Sequence, residues 1–151
     1  MNVVLVEPEI PPNTGNVARL CAAADVALHL VGPLGFRIGE RSLKRAGMDY
    51  WRLVRWRLWN SWDELQSQAE PGARFYLATS KSRRAYTQPR YRWGDYLVFG
   101  SETRGLPDPL LAAHAESTIA IPMFNAQARC LNLATAVGIV LYEALRQVKG
   151  F

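Results

Sequence analysis

Cysteine and histidine are scarce in this chain, two of each among 151 residues, and the scarcity removes several chemistries at once. Cys21 and Cys130 lie far apart, with no CxxC pair or Cys/His cluster, so neither a metal centre nor a disulfide framework is expected. His29 falls inside a run that reads as a strand and His114 near a helix end. With no serine and aspartate arranged around either one, triad chemistry is not expected. No apolar run approaches the roughly 18 residues of a membrane span. The opening MNVVLVEPEI lacks the basic head and small-residue cleavage site of a signal peptide. G-x-G-x-x-G after a strand is missing, since VGPLGF is broken by proline, and no P-loop occurs. The expectation is a cytoplasmic protein with free thiols, no membrane association and no metal.

What is present suits one domain spanning residues 1–151, because a chain this long with 49% hydrophobic residues can bury one core. Lys and Arg outnumber Asp and Glu by 18 to 13, and the resulting charge of +5 fits a polyanionic partner without demanding one.

Short β-rich runs alternate with helical ones, the α/β pattern. VVLVE (Val3 to Glu7) reads as a first buried strand and ALHLVG (Ala27 to Gly32) as a second, with Asn13 and Thr14 as caps of an Ala-rich helix between them. RFYLAT (Arg74 to Thr79), YLVFG (Tyr96 to Gly100) and STIAIPM (Ser117 to Met123) predict three more strands, and RLVRWR around Val54 another. SWDE (Ser61 to Glu64) matches a capping box and predicts a helix to about Ala69. The longest predicted helix runs from Leu131 to Val148 and is closed by Gly150. Its apolar residues wrap nearly all the way round, which points to burial on most sides and to a subunit interface.

Ligands in open α/β sheets gather at the carboxyl ends of strands, and three such ends are unusual here. EPEIPPNTGNVARL carries three prolines before the helix bearing Arg19; FGSETRGLPDP frames Glu102 and Arg104 with Gly100, Gly105 and two prolines; IPMFNAQARCLN leads to Asn132. Asn132 poses a question, because an amide at the mouth of an apolar helix needs a partner, whether the helix backbone or a ligand.

Taken together, NTGNVARL, GSETRGLP and CLNLATAV resemble the three signature motifs of the SPOUT methyltransferases, the α/β-knot superfamily, and most of all its short tRNA 2'-O-methyltransferases of the wobble nucleotide. The likeness extends nearly end to end, through LKRAGMDYW and NLATAVGIVLYEALRQ. It implies a single-domain SPOUT fold, α/β, with a mostly parallel sheet, flanking helices and a C-terminal trefoil knot, an arrangement that ordinary topology rules treat as nearly forbidden. It also implies a homodimer, S-adenosylmethionine as methyl donor and the tRNA anticodon stem-loop as partner. The implied reaction is 2'-O-ribose methylation of cytidine or modified uridine at the wobble position. Methylation of another RNA site, or a non-catalytic RNA-binding dimer of the same fold, are the alternatives.

By the same resemblance, Arg19, Asn13, Glu102 and Asn132 are the catalytic set, with Arg19 nearest the hydroxyl chemistry. A guanidinium stays protonated in proteins, so Arg19 is expected to bind phosphate and orient the nucleophile. Leu77, Ala78, Thr79, Gly100, Glu102, Gly105, Ile121, Pro122, Met123, Cys130 and Leu131 are implied at the cofactor, with Gly100 allowing close approach of the chain to the ligand. The chain departs from the family pattern in its third motif, where Ala128, Cys130 and Ala134 replace serines and Thr135 an asparagine. Lys44, Arg45, Lys81, Arg83 and Arg84 are expected to contact RNA. The last three open a stretch, KSRRAYTQPRYRW, whose mixture of arginines and aromatic rings suits phosphates and stacked bases.

Overall fold

The computed structural model describes residues 1–39, 41 and 49–151. In chain order the elements are β1 (Asn2–Val6), α1 (Pro11–Ala24), β2 (Ala27–Val31), β3 (Trp56–Trp59), α2 (Trp62–Gln68), β4 (Phe75–Ala78), β5 (Tyr96–Phe99), α3 (Asp108–Ala113), β6 (Thr118–Ile119) and α4 (Leu133–Lys149). The strands form one sheet in the order β3-β2-β1-β5-β4-β6, and every pair is parallel. The chain runs outward from β1 through β2 to β3 and then crosses to the other side of β1 for β4, β5 and β6, and such a reversal of strand order makes the kind of crevice where α/β proteins bind ligands.

The strands are apolar on both faces, as a parallel sheet covered on both sides requires. Val3 and Leu5 of β1 join Val17 and Cys21 of α1 and Val137, Val140 and Leu141 of α4 in one core. Val4 and Val6 turn the other way, into a second core with Leu65 of α2, Leu77, Val98, Leu106 and Leu110 of α3. At the amino ends of the strands, Arg74 holds the buried Asp95 bidentately, Nε to Oδ1 at 2.9 Å and Nη2 to Oδ2 at 2.6 Å. His29 of β2 is fixed between Trp59, whose Nε1–H donates to Nδ1 at 3.0 Å, and Asn2, whose Oδ1 lies 3.2 Å from Nε2. Since the indole nitrogen only donates, the imidazole is neutral with its proton on Nε2.

The predicted elements are present with four differences. The strand expected around Val54 lies later, at Trp56–Trp59, because Asp49–Arg52 form a helical turn that leads into it. α1 starts at Pro11 behind Ile10, so Asn13 and Thr14 are buried in its first turn and cap nothing. The expected sixth strand shortens to Thr118–Ile119 because the chain leaves the sheet before Pro122. α4 starts at Leu133 with Asn132 as its cap, and its apolar girdle is not buried all round: Val137, Val140, Leu141, Ala144 and Leu145 are covered, while Tyr142 is 45% exposed. At Ser61 half of the capping box forms as read: Glu64 N–H donates to Ser61 Oγ, while the Glu64 carboxylate accepts from Asn60 N–H, one residue before the cap. Gly150 closes α4 at a φ of 72°, donating to Arg146 O. No helix among the described residues is long and apolar enough to cross a membrane.

Candidate active site

A cavity of about 660 Å³ opens at the carboxyl ends of β4 and β5. Its walls come from the turn after β5, the exit of β4 and the segment from Ile121 to Leu133 that leads into α4; Ile10 and Asn13 of the β1–α1 region close one side. Gly100 is where the turn doubles back. A Cβ there would lie 2.0 Å from Gly105 C and 2.1 Å from Leu106 N. Close approach is indeed what the glycine permits, but the approaching group is the backbone of its own turn. Gly105 completes the turn at a φ of +69°, and Ser101 and Gly105 exchange backbone bonds of 3.3 and 2.9 Å.

Three successive side chains of that turn hold the β1–α1 connection. The Glu102 carboxylate accepts from Glu9 N–H at 2.8 Å, from Ile10 N–H at 3.1 Å and from Asn13 Nδ2 at 3.2 Å. Ile10, at the cap position of α1, has no capping side chain of its own. The Glu102 carboxylate, 92 residues away, holds the N–H groups just before the helix rather than those of its first turn, its negative charge lying where the helix dipole favours an anion. Pro11 and Pro12 lower the demand, having no N–H to satisfy. Thr103 Oγ1 donates to the Glu9 carboxylate at 2.8 Å, and the Arg104 guanidinium lies 3.7 Å from Glu7 and 4.0 Å from Glu9. Glu7 itself sits at a φ of 51°, an uncommon conformation for a side-chain-bearing residue, at the strand exit where the site begins.

Asn132 has the helix backbone as one partner and the side chain of Asn13 as the other. Its Oδ1 accepts from Ala134 N–H at 2.9 Å and Thr135 N–H at 3.3 Å, capping α4. That leaves Nδ2 free to donate to Asn13 Oδ1 at 2.9 Å. Asn13 Nδ2 in turn reaches Glu102. The orientation of each amide is fixed by its neighbour: helix N–H groups set Asn132, Asn132 sets Asn13, and the carboxylate completes the series. All three side chains belong to residues on the cavity wall.

Of the residues expected at the cofactor, Ala78, Thr79, Gly100, Glu102, Gly105, Ile121, Met123, Cys130 and Leu131 line the cavity. Leu77 does not: it is fully buried in the core between the sheet, α2 and α3, because alternation along β4 turns it away. Pro122 is exposed outside the lining. Arg19 also stands apart from Asn13, Glu102 and Asn132. It lies about 240° round α1 from Asn13, exposed, with its guanidinium 4.5 Å over the Tyr50 ring. Lys81 lines the cavity mouth and pairs with Asp108 at 2.8 Å, a contact that holds the Asp108 carboxyl below its ordinary range. Arg83 is exposed and Arg84 half-buried beyond the rim; Lys44 and Arg45 lie outside the described residues. Cys130 is exposed, whereas Cys21 is sealed beneath α1, where burial pushes its thiol up to about 12. Among the described residues no group of His, Cys, Asp and Glu is arranged to hold a metal.

Ser101, Thr103, Arg104 and Arg129 also line the cavity and were not singled out as site residues. Thr103 and Arg104 stand in plain view within GSETRGLP, but their partner Glu9 is 94 residues from Thr103, and no local pattern connects the two.

A model of the SpoU rRNA Methylase family matches residues 1–142. The chain belongs to that family. Among its curated relatives, the tRNA (cytidine(34)-2'-O)-methyltransferase of Escherichia coli strain K12 is 44% identical, over 98% of this chain and 94% of its own length. A solved structure described as giving insights into the 2-OH methylation of C/U34 on tRNA superposes with a TM-score of 0.93 at 46% identity, covering 99% of this chain and 97% of that one. An AdoMet-bound rRNA methyltransferase from Sinorhizobium meliloti shares the architecture at a TM-score of 0.82 and 29% identity, covering 96% of this chain and 55% of the other. The α/β SPOUT architecture expected from the sequence is therefore present, with a wholly parallel sheet.

Proposed function

We propose that this protein methylates the ribose 2'-hydroxyl of the tRNA wobble nucleotide, cytidine or modified uridine, using S-adenosylmethionine. The observation that carries the reading is the series Glu102, Asn13 and Asn132, held in one orientation on the wall of the cavity. Relatives named for this reaction at the cytidine of position 34 align over nearly the whole chain.

The residues present fit the donor. A cavity of about 660 Å³ is the size that takes a drug-sized ligand. Ile121, Met123 and Leu131 line the cavity with apolar surface that would suit a base, and the hydroxyls of Thr79 and Ser101 would suit the polar parts of the donor. S-adenosylmethionine supplies, when bound, a methyl group made electrophilic by a positively charged sulfur. The protein's part is positioning: the ribose hydroxyl must be held in line with that methyl group, and such alignment can supply a large share of catalysis. The amides of Asn13 and Asn132, locked by their partners, provide polar groups that need no reorganisation when substrate arrives.

Arg19 we assign to a phosphate of the substrate, orienting the hydroxyl rather than removing its proton. Its distance from its own cavity supports a homodimer in which the partner's Arg19 completes the site, and the part-exposed Tyr142 of α4 supports a helical interface. The anticodon stem-loop would lie across the joined faces, with Lys81, Arg83 and Arg84 at the rim and Lys44 and Arg45 adding to the same surface. We read the C-terminal segment as a trefoil knot. The β4–β5 connection bonds to Ala120 on one side of the final crossing and to Gln147 on the other, which supports threading. A cytoplasmic enzyme of one domain, residues 1–151, follows from the same reading.

The test is to incubate the protein with S-adenosylmethionine and tRNA lacking wobble ribose methylation, then to map new methyl groups by nuclease digestion and mass spectrometry. A 2'-O-methyl at the wobble nucleotide is expected. Methylation elsewhere, or none, overturns the assignment.

A further inference from the structure

The stretch from Lys81 to Trp93 does not form one surface. Lys81, Arg83 and Arg84 follow β4 and stand at the carboxyl ends of the strands, beside the cavity. Arg90, Arg92 and Trp93 precede β5 and stand at the opposite edge of the sheet, with a four-residue strand, roughly 13 Å, between the two groups.

At that far edge the backbone is tied down and the side chains are left out. Arg90 O accepts from Arg74 Nη2 at 3.1 Å, Tyr91 N–H donates to Gln147 Oε1 of α4 at 3.0 Å, and Arg92 N–H donates to Asp95 Oδ2 at 2.7 Å. The buried Tyr91 adds a 2.6 Å bond from its hydroxyl to Tyr86 O. The Arg90 and Arg92 side chains, both exposed, have no carboxylate within ion-pair distance among the described residues. The nearby acids are engaged elsewhere: Asp95 by Arg74, and Glu143 by Arg146 and Gln147. Trp93 is 55% exposed, with Lys149 Nζ 5.8 Å from its ring. Uncompensated guanidinium groups on a rigid backbone beside a part-exposed indole are what a single-stranded or looped RNA segment recognises, through phosphates and a stacked base.

We propose that Arg90, Arg92 and Trp93, with Lys149, form a second RNA-contact patch, separate from the methylation site, which binds the tRNA away from the nucleotide being modified. The proposal rests on tRNA being the substrate. The patch adds affinity without touching the reacting atoms, so its loss raises KM and spares kcat.

The experiment compares wild-type protein with Arg90→Gln/Arg92→Gln, Trp93→Ala and Trp93→Phe, all full length. Unmodified tRNA binding is measured over a salt series, and methylation is followed from subsaturating to saturating tRNA so that KM and kcat are read separately. The double glutamine variant should flatten the slope of log K against log salt by about 1.4 to 1.8, roughly 0.7 to 0.9 per lost cation. Trp93→Ala should raise KM several-fold, Trp93→Phe should restore most of it, and kcat should hold throughout. The exposed glutamine pair carries the test should Trp93→Ala unfold. Unchanged salt slope and KM in the double variant would overturn the patch. Wild-type methylation of the wobble nucleotide tests the substrate separately, so failure of one is not failure of the other.

Discussion

Asn132 donates its side-chain amide to Asn13 across 119 residues of sequence, at 2.9 Å, while its oxygen caps the helix that follows. One residue thus orients a neighbour in the site and starts α4, and the two roles use opposite ends of the same amide.

The roles separate in Asn132→Asp. A carboxylate still accepts from Ala134 and Thr135 N–H and suits the helix dipole, so Tm should stay within about 3 °C of wild type. The donor to Asn13 is lost, and methylation should fall by about tenfold or more. Thermal melts and initial rates on one preparation check both. Full activity in this variant would remove Asn13 orientation from the mechanism.

Glu102→Gln retains shape but offers one acceptor oxygen where the carboxylate has two, and turns an NH2 toward Glu9 N–H or the Ile10 and Asn13 donors. The expected cost is about 1 to 3 kcal/mol, read as a loss of about 5 °C in Tm. Cofactor affinity by calorimetry should fall with it, since the same turn lines the cavity.

Gly100→Ala puts a methyl group into the backbone of Gly105 and Leu106. Nothing there is a flexible side-chain end that can swing aside. The turn must open, at a cost of about 3 kcal/mol or more, and denaturant unfolding together with cofactor titration should report both instability and loss of binding.

Arg19→Lys keeps the charge and loses the planar fork, so turnover should drop by about a hundredfold while S-adenosylmethionine binding is retained. Arg19→Ala and Asn132→Ala, each inactive alone, should regain activity when co-expressed, because a mixed dimer has one intact site if the arginine arrives from the partner. An inactive mixture, with heterodimers shown to form, would place Arg19 at its own subunit's cavity.

His29 gives stability a pH dependence. Burial, with Arg57 and the N-terminal amine nearby, lowers its pKa from an ordinary 6.5 to about 4. The unfolded chain therefore takes up the proton first: stability is complete above about pH 6.5 and declines as pH falls toward 4, by about 3 kcal/mol over the window. Protonation would also set a second donor against the Trp59 indole. Urea unfolding of wild type and His29→Gln from pH 7 to 4.5 should show a shallower decline in the variant; parallel curves would refute this.

Most elements were legible because their causes are local. Val3 to Val6 alternate between two apolar faces, Ser61 and Glu64 cap within one turn, and Gly150 adopts the left-handed conformation that ends α4. Asn13 was misread as a helix cap for the same reason, since Asn before an Ala-rich run ordinarily is one. In the fold it sits inside the first turn instead, where its side chain joins Glu102 to Asn132.

The sequence by itself determined the α/β class, the strand ends at which the cavity opens, the basic character and the residue types that line the cavity, because propensity, periodicity and turn chemistry act over a few residues. Tertiary structure alone decided which of those residues meet. It joined Glu102, Asn13 and Asn132, turned Leu77 into the core, held Arg19 away from the cavity and divided Lys81 to Trp93 between two edges of the sheet. Those outcomes depend on strand order and on hydrogen bonds spanning about a hundred residues, and a chain has no local means of encoding a partner at that distance.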